Sequence, residues 1–288
     1  MSAADEELTL SERAGDLIKH NRLFVVGLVI AVGFLFIALT AAWIAPHDPQ
    51  AIDFSSKLEA PSTEHFFGTD VLGRDIFSRV LHGARTSLLT GVLVVSMALL
   101  IGVPVGLVAG YYGGRIDMVL MRIADVFLAF PPLLLPIAIT AALGPGLYNA
   151  LMALAVSWFP WYARILRSSV IAVKEELFVK SSQAMGMNPI RIMLKHVLPN
   201  STTPVIVQSS MDFGYTILAA ASLSFIGMGA RPPTIEWGLM ISSSRSIFLE
   251  YWWTAFFPGL AIFILVWGAN LLGDGIRDLL DPHYSDKK

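Results

Sequence analysis

Long apolar runs without charge recur along the chain, separated by polar stretches rich in Gly, Pro and Arg. A bilayer core of about 30 Å takes roughly 20 helical residues. The first such run is Leu23–Ile44 and the second is Thr86–Gly114. The third, Val126–Ala163, has 38 residues and is too long for one crossing. Gly144-Pro145-Gly146 supplies a turn inside it, which divides it into two spans. The third span is expected to begin near Met118, with Arg122 and Asp125 close to one membrane face. A fifth span is predicted over Pro204–Ile226, with Asp212 inside it, and a sixth over Trp252–Leu272. All are expected to be helices. Lipid leaves no partner for open backbone groups, and the runs are too long for barrel strands. The predicted fold is an all-α membrane protein with six transmembrane helices.

Six crossings put both termini on one side. With that side taken as the cytoplasm, 14 of the 20 Lys and Arg residues fall inside. Lys57, Arg74, Arg79, Arg85, Arg231 and Arg245 fall outside. Basic residues favour the cytoplasmic face, so both termini are expected there. The organisation that follows is a cytoplasmic segment 1–22, a first transmembrane helix 23–45 and an extracytoplasmic segment 46–85. Residues 86–273 form a five-helix core with a cytoplasmic loop at 164–203, and 274–288 form a cytoplasmic tail. A cleavable signal competes for the first run, because Thr40-Ala41-Ala42 lies near its end. At 22 residues, Leu23–Ile44 exceeds the usual 7–15 or so of a signal core, which favours a retained span.

Composition agrees with lipid as the solvent. The chain is 55% hydrophobic and 15% charged, whereas soluble domains carry about 25% charged residues. A net charge of −2 gives no sign of nucleic-acid binding. The absence of cysteine excludes disulfides and thiolate ligands. The six histidines form no His-x-x-x-His pair, so no built-in metal site is expected. No phosphate loop of the Gly-x-x-x-x-Gly-Lys type occurs, so the chain is not expected to bind ATP. No Gly-x-Ser-x-Gly elbow occurs either, and neither a cofactor nor an enzymatic activity is expected.

The segment Glu176–Asn200 is the most distinctive polar stretch. Gly186 suits the position just after a helix. Asn188 and Pro189 can cap and open a second short helix, whose apolar side would be Ile190, Ile192, Met193 and Val197. Two short helices at an angle would form a knob able to enter a partner's groove. From the residues alone, an amphipathic loop lying on the bilayer fits as well.

Gly186, the nine residues after it, and His196-Val197-Leu198-Pro199-Asn200 resemble the coupling loop of ABC importer permeases. That loop has the pattern Glu-Ala-Ala, three residues, Gly, nine residues, Ile-x-Leu-Pro. Here Lys180-Ser181-Ser182 stand in place of Glu-Ala-Ala, and His196 in place of Ile, as in the peptide-importer branch. Three further segments are similar to the dipeptide/oligopeptide/nickel permease family, in its second-subunit (DppC/OppC) type. They are His65–Arg79 running on to Gly83–Leu88, Ala221–Gly238, and Asn270–Pro282. The resemblance implies a type I (MetI-like) permease of a bacterial inner membrane, forming half of a pore. The implied partners are a sister permease, two ATP-binding subunits and an extracytoplasmic substrate-binding protein. The residues implied to touch the ATPase are Lys180, Ser181, Ser182, Gln183, Ala184, Met185, Gly186, Met187, Asn188 and Pro189. Short peptides are the expected cargo.

Several charges have two readings. Asp212 either lines the pore, touching an amine or cation, or forms a structural pair or faces water near the inner end. Arg122 and Asp125, three apart, are placed to pair on one helix face. Asp70, Arg74, Asp75 and Arg79 either contact a binding protein or pair among themselves. Asp274, Arg277, Asp278 and Asp281 continue the last helix at helical spacing. The alternative function is a self-sufficient channel or ion-coupled carrier using Asp212 and Asp125.

Overall fold

A computed structural model describes residues 21–280; Asp281 and the rest of the tail, like residues 1–20, lie outside the described residues. Within them the chain is α-helical, with no strand beyond an isolated bridge between Thr69 and Asp75. Helix α1 covers Arg22–Ile44, and Asn21 starts it by accepting the Phe24 N–H at 3.0 Å. Few of its residues are fully buried by the rest of the chain, and one side is left open as lipid-facing surface would be. Helix α2 covers Ile76–Tyr112, starting ten residues before the apolar run. Asp75 caps it, accepting the Ser78 N–H at 2.7 Å. Its 37 residues span about 55 Å, more than the bilayer core.

The predicted third span is two helices, α3 Gly114–Leu128 and α4 Leu134–Leu143. The break falls at Pro131-Pro132. Neither proline donates a backbone N–H, and the second pushes the first out of helical geometry. The turn at Gly144 then leads to α5, Leu147–Val173, so helix continues into the first part of the predicted 164–203 loop. Two short helices follow, α6 Leu177–Ala184 and α7 Pro189–Ile192. After a π turn and α8, Leu198–Ser201, comes α9, Thr203–Phe225. Helix α10, Trp237–Ser243, and α11, Trp253–Leu280, complete the order. Asp274, Arg277 and Asp278 lie on α11, as their spacing predicts. Only α1, α2 and α11 are, among the described residues, both long and apolar enough to cross a membrane alone.

Small residues bring the long helices together. A Cβ added at Gly106 of α2 would lie 2.4 Å from the Ala163 carbonyl oxygen of α5, and one at Gly102 would lie 2.6 Å from that of Phe159. Such contacts allow close helix approach where lipid gives no hydrophobic drive. Helices α1 and α11 run antiparallel, with Phe24 against Gly275 and Gly27 against Leu271 and Leu272. The Asn21 amide reaches Asp278 at 3.5 Å, so the start of α1 and the end of α11 share one end of the bundle. Gly273 packs on Met211, and Gly214 on Val266 and Asn270. Helix α9 therefore also runs antiparallel to α11, which puts the α6–α8 segment at that same end.

The opposite end carries a folded cap. Trp237, fully buried, donates its indole N–H to the Val80 carbonyl at 2.9 Å. Trp253 donates to Thr69 at 3.3 Å. Asp70 binds Arg74 at 2.7 Å and lies 3.8 Å from Arg79, which donates to the Pro49 carbonyl. Internal pairing thus engages the mixed charges of this segment. His65 and Asp75 are bonded at 3.0 Å, with the His47 ring tilted against that of His65, centroids 4.8 Å apart. These two histidines and Asp75 offer ligand atoms within 4.8 Å of one another, a grouping that linear spacing did not predict. Their hydrogen bonds are met inside the protein: His47 to the Glu64 carbonyl, His65 to Asp75, and Asp75 to the helix it caps.

Candidate functional site

Helix α6 ends in a complete Schellman motif. Gly186 has φ +73°, its N–H reaches the Gln183 carbonyl at 2.9 Å, and the Met187 N–H reaches Ser182 at 3.2 Å. Asn188 then accepts the Ile190 N–H at 2.9 Å, with Pro189 opening α7 where no N–H is needed. The next turn, Met193–Val197, is π-helical. Pro199 explains it. It has no N–H for the Lys195 carbonyl and its ring would clash there, so the preceding turn widens and the Leu198 N–H reaches back to Met193.

The predicted contact residues divide by exposure. Ser182 is buried with its hydroxyl on the Phe178 carbonyl, and Val179, just before the predicted set, is fully buried. Met187 is half-buried against the main core. Lys180, Ser181, Gln183, Ala184, Met185, Gly186, Asn188 and Pro189 are exposed. Lys180 pairs with Glu175 at 3.0 Å and holds that carboxyl below its ordinary pKa. Ile192, Met193 and Val197 bury the inner side of the second helix. Ile190, expected with them, is instead 58% exposed. The start of α7 turns it outward, where it joins Leu177 (81%), Met185 (73%) and Leu194 (54%) on the outer surface.

Two ion pairs behind this knob were missed by sequence spacing. Arg167 binds both carboxylate oxygens of Asp117, and Arg164 binds Asp125. Asp125 therefore pairs across to α5 and not with Arg122 on its own helix. The usable signal was the matching charge: two acids on α3 and two arginines three apart on α5. Lys174 adds a bond to the Gly110 carbonyl at 3.1 Å.

Asp212 lies on α9 beside a cavity of about 400 Å³ lined by Pro132, Trp158, Trp161, Ile165, Gln208 and Tyr215. The Gln208 amide donates to its Oδ1 at 2.9 Å. Among the described residues no cation pairs with it.

Residues 102–286 match the family described as "Binding-protein-dependent transport system inner membrane component". The chain belongs to this family. Residues 12–61 also match the N-terminal transmembrane domain of oligopeptide transport permease C. The dipeptide transport system permease protein DppC of Alkalihalophilus pseudofirmus is 48% identical, over 92% of this chain and 87% of its own. A probable D,D-dipeptide transport permease of Escherichia coli K12, DdpC, is 44% identical over 94% and 91%. The glutathione permease GsiD of Escherichia coli O6:K15:H31 is 45% identical over 90% and 84%. An inward-facing structure of the MetNI methionine ABC transporter covers 72% of this chain and 98% of its own, with TM-score 0.58 and 19% identity. This binding-protein-dependent permease thus has the MetI-like fold, and the importer reading prevails over the self-sufficient carrier. It is a multi-pass component of the inner membrane.

Proposed function

We propose that this permease forms half the pore of an ATP-driven importer of short peptides. Its partners are a sister permease, two ATP-binding subunits that hydrolyse ATP, and an extracytoplasmic binding protein. Both termini and residues 164–203 face the cytoplasm. The helix pair α3 and α4 makes the third of six crossings, and the boundaries follow those read from the sequence. Residues Lys180–Pro189 form the coupling knob, and Asp212 faces the pore. The observation that carries the reading is identity of 48% and 44% to dipeptide permeases over more than nine-tenths of the chain. The exposed Leu177, Met185, Ile190 and Leu194 support the knob, since they supply an apolar surface for a soluble partner. The shared end of α1, α11 and the knob supports the topology. Coupling requires the ATPase contact to differ between inward and outward states, because equal contact shifts nothing.

The test is mass spectrometry of what co-purifies with the chain in mild detergent. A sister permease and two ATPases are the expected companions. Repeated recovery of the intact chain alone would overturn the reading.

A further inference from the structure

Asp212 stands out because its surroundings lack its counter-charge. A carboxylate within a membrane-spanning helix is costly unless paired or facing a water-filled path. No Lys or Arg pairs with it among the described residues. Gln208 holds one oxygen at 2.9 Å, which orients the group without neutralising it.

The walls around it are aromatic. Trp158 and Trp161 come from α5 and Tyr215 from α9, and the Trp158 and Tyr215 rings lie 5.2 Å apart. Tyr162 of α5 adds a second polar group at the carboxylate. It is fully buried, and its hydroxyl lies against the Asp212 carboxylate, a neutral neighbour that brings no counter-charge. Gln208 and Tyr162 are both neutral, so the carboxylate still lacks a positive partner among the described residues. The cavity, at about 400 Å³, lies in the range of small-molecule sites.

The chemistry selects the ligand. A hard metal ion takes six or more oxygen ligands, and one carboxylate with one amide cannot supply them. An organic ammonium needs less: one carboxylate for charge-assisted hydrogen bonds and aromatic faces for its cationic end. We propose that Asp212, flanked by Trp158, Trp161 and Tyr215, is a station inside the permease for the free α-ammonium of a peptide in transit. The inference rests on the peptide-importer reading. It adds a selective step within the membrane to whatever selection the binding protein performs. An N-blocked peptide would lack the charge that Asp212 awaits.

The test uses the transporter as it purifies with this chain, in nanodiscs and without binding protein. Dialanine and N-acetyl-dialanine are titrated in, and tryptophan fluorescence is followed. Dialanine is expected to bind saturably and N-acetyl-dialanine at least about tenfold more weakly. Asp212→Asn, which keeps the shape, is expected to weaken dialanine binding about tenfold, and Asp212→Glu to restore it to within about threefold. Equal binding of both peptides, an unchanged Asp212→Asn complex, or no dialanine binding by the wild type overturns the inference. ATP-driven dialanine uptake by wild-type proteoliposomes with binding protein is measured alongside. Its absence overturns the peptide reading itself, whereas uptake without Asp212-dependent binding overturns this inference alone.

Discussion

Arg167 of α5 grips both carboxylate oxygens of Asp117 on α3, two residues 50 apart in sequence. The two-pronged geometry is what a planar guanidinium offers and a lysine does not. The pair ties the start of the broken third span to the helix that leads into the knob. Arg167 beside it holds the Asp117 carboxyl below its ordinary value of 3.8. A carboxyl lowered in the folded state adds stability that is present above the unfolded pKa and lost as pH falls through the folded one. Asp117→Asn is therefore expected to flatten the acid side of the stability profile below about pH 3.8. Arg167→Lys is expected to cost about 1 kcal/mol, given the partial exposure of both groups. Thermal unfolding in detergent across a pH series measures both.

Gly83 is where the indole of Trp237 meets α2. A Cβ there would lie 2.5 Å from the Trp237 ring nitrogen, which donates to Val80 one turn earlier. The ring is fully buried and fixed by that bond, so it cannot yield cheaply. Gly83→Ala is expected to destabilise by about 1–3 kcal/mol, as overpacking in a tight core does. Trp237→Phe is expected to relieve the clash in the double variant while losing the hydrogen bond. Melting temperatures of the two single variants and the double variant test this. Additive losses would show that the two residues do not interact.

Much of this was legible in the residues. Apolar runs, charge-free for α1 and broken only by Asp212 for α9, located α1, α9 and α11 because lipid imposes a length and forbids open backbone. The Gly186 and Asn188-Pro189 signals located the knob's turn because each serves one local backbone geometry. The third span read as continuous because hydropathy does not register the missing N–H groups of Pro131 and Pro132. The outward start of α2 was hidden for a related reason. Arg79, His82 and Arg85 look like loop, yet Arg79 is buried in contacts with Asp70 and Pro49. The groove around Asp212 depends on which face of α5 meets α9, and that is a tertiary property.

Leu177 and Met185 are exposed on α6 and beside it, while Val179 faces inward and is fully buried. If the knob seats in a partner, the outer two contribute binding and the inner one contributes folding. Burying an exposed Leu or Met contributes about 1.5–3 kcal/mol. Leu177→Glu and Met185→Glu are each expected to cut recovery of the ATPase about tenfold or more while the permease stays folded. Val179→Glu is expected to lower the yield of the permease itself. Quantitative co-purification separates the two effects, and full ATPase recovery with Leu177→Glu would argue that the outer surface faces lipid.

Gly186 separates backbone strain from bulk. Its φ of +73° penalises any side chain by about 1–2 kcal/mol. Yet, its two chain neighbours aside, no atom of the described residues lies within 4 Å of an added Cβ, so a side chain there points into open space. Alanine would therefore bring the strain without reaching a partner, and tryptophan would bring both. Gly186→Ala is expected to leave uptake close to wild type. Gly186→Trp is expected to leave the protein in the membrane and ATP hydrolysis running, with uptake reduced about tenfold or more, within the usual range of coupling energies. Both rates are read in the same proteoliposomes. Normal uptake with Gly186→Trp would mean that the space beside this glycine stays empty throughout the cycle, and the coupling contact would then have to lie elsewhere on the knob.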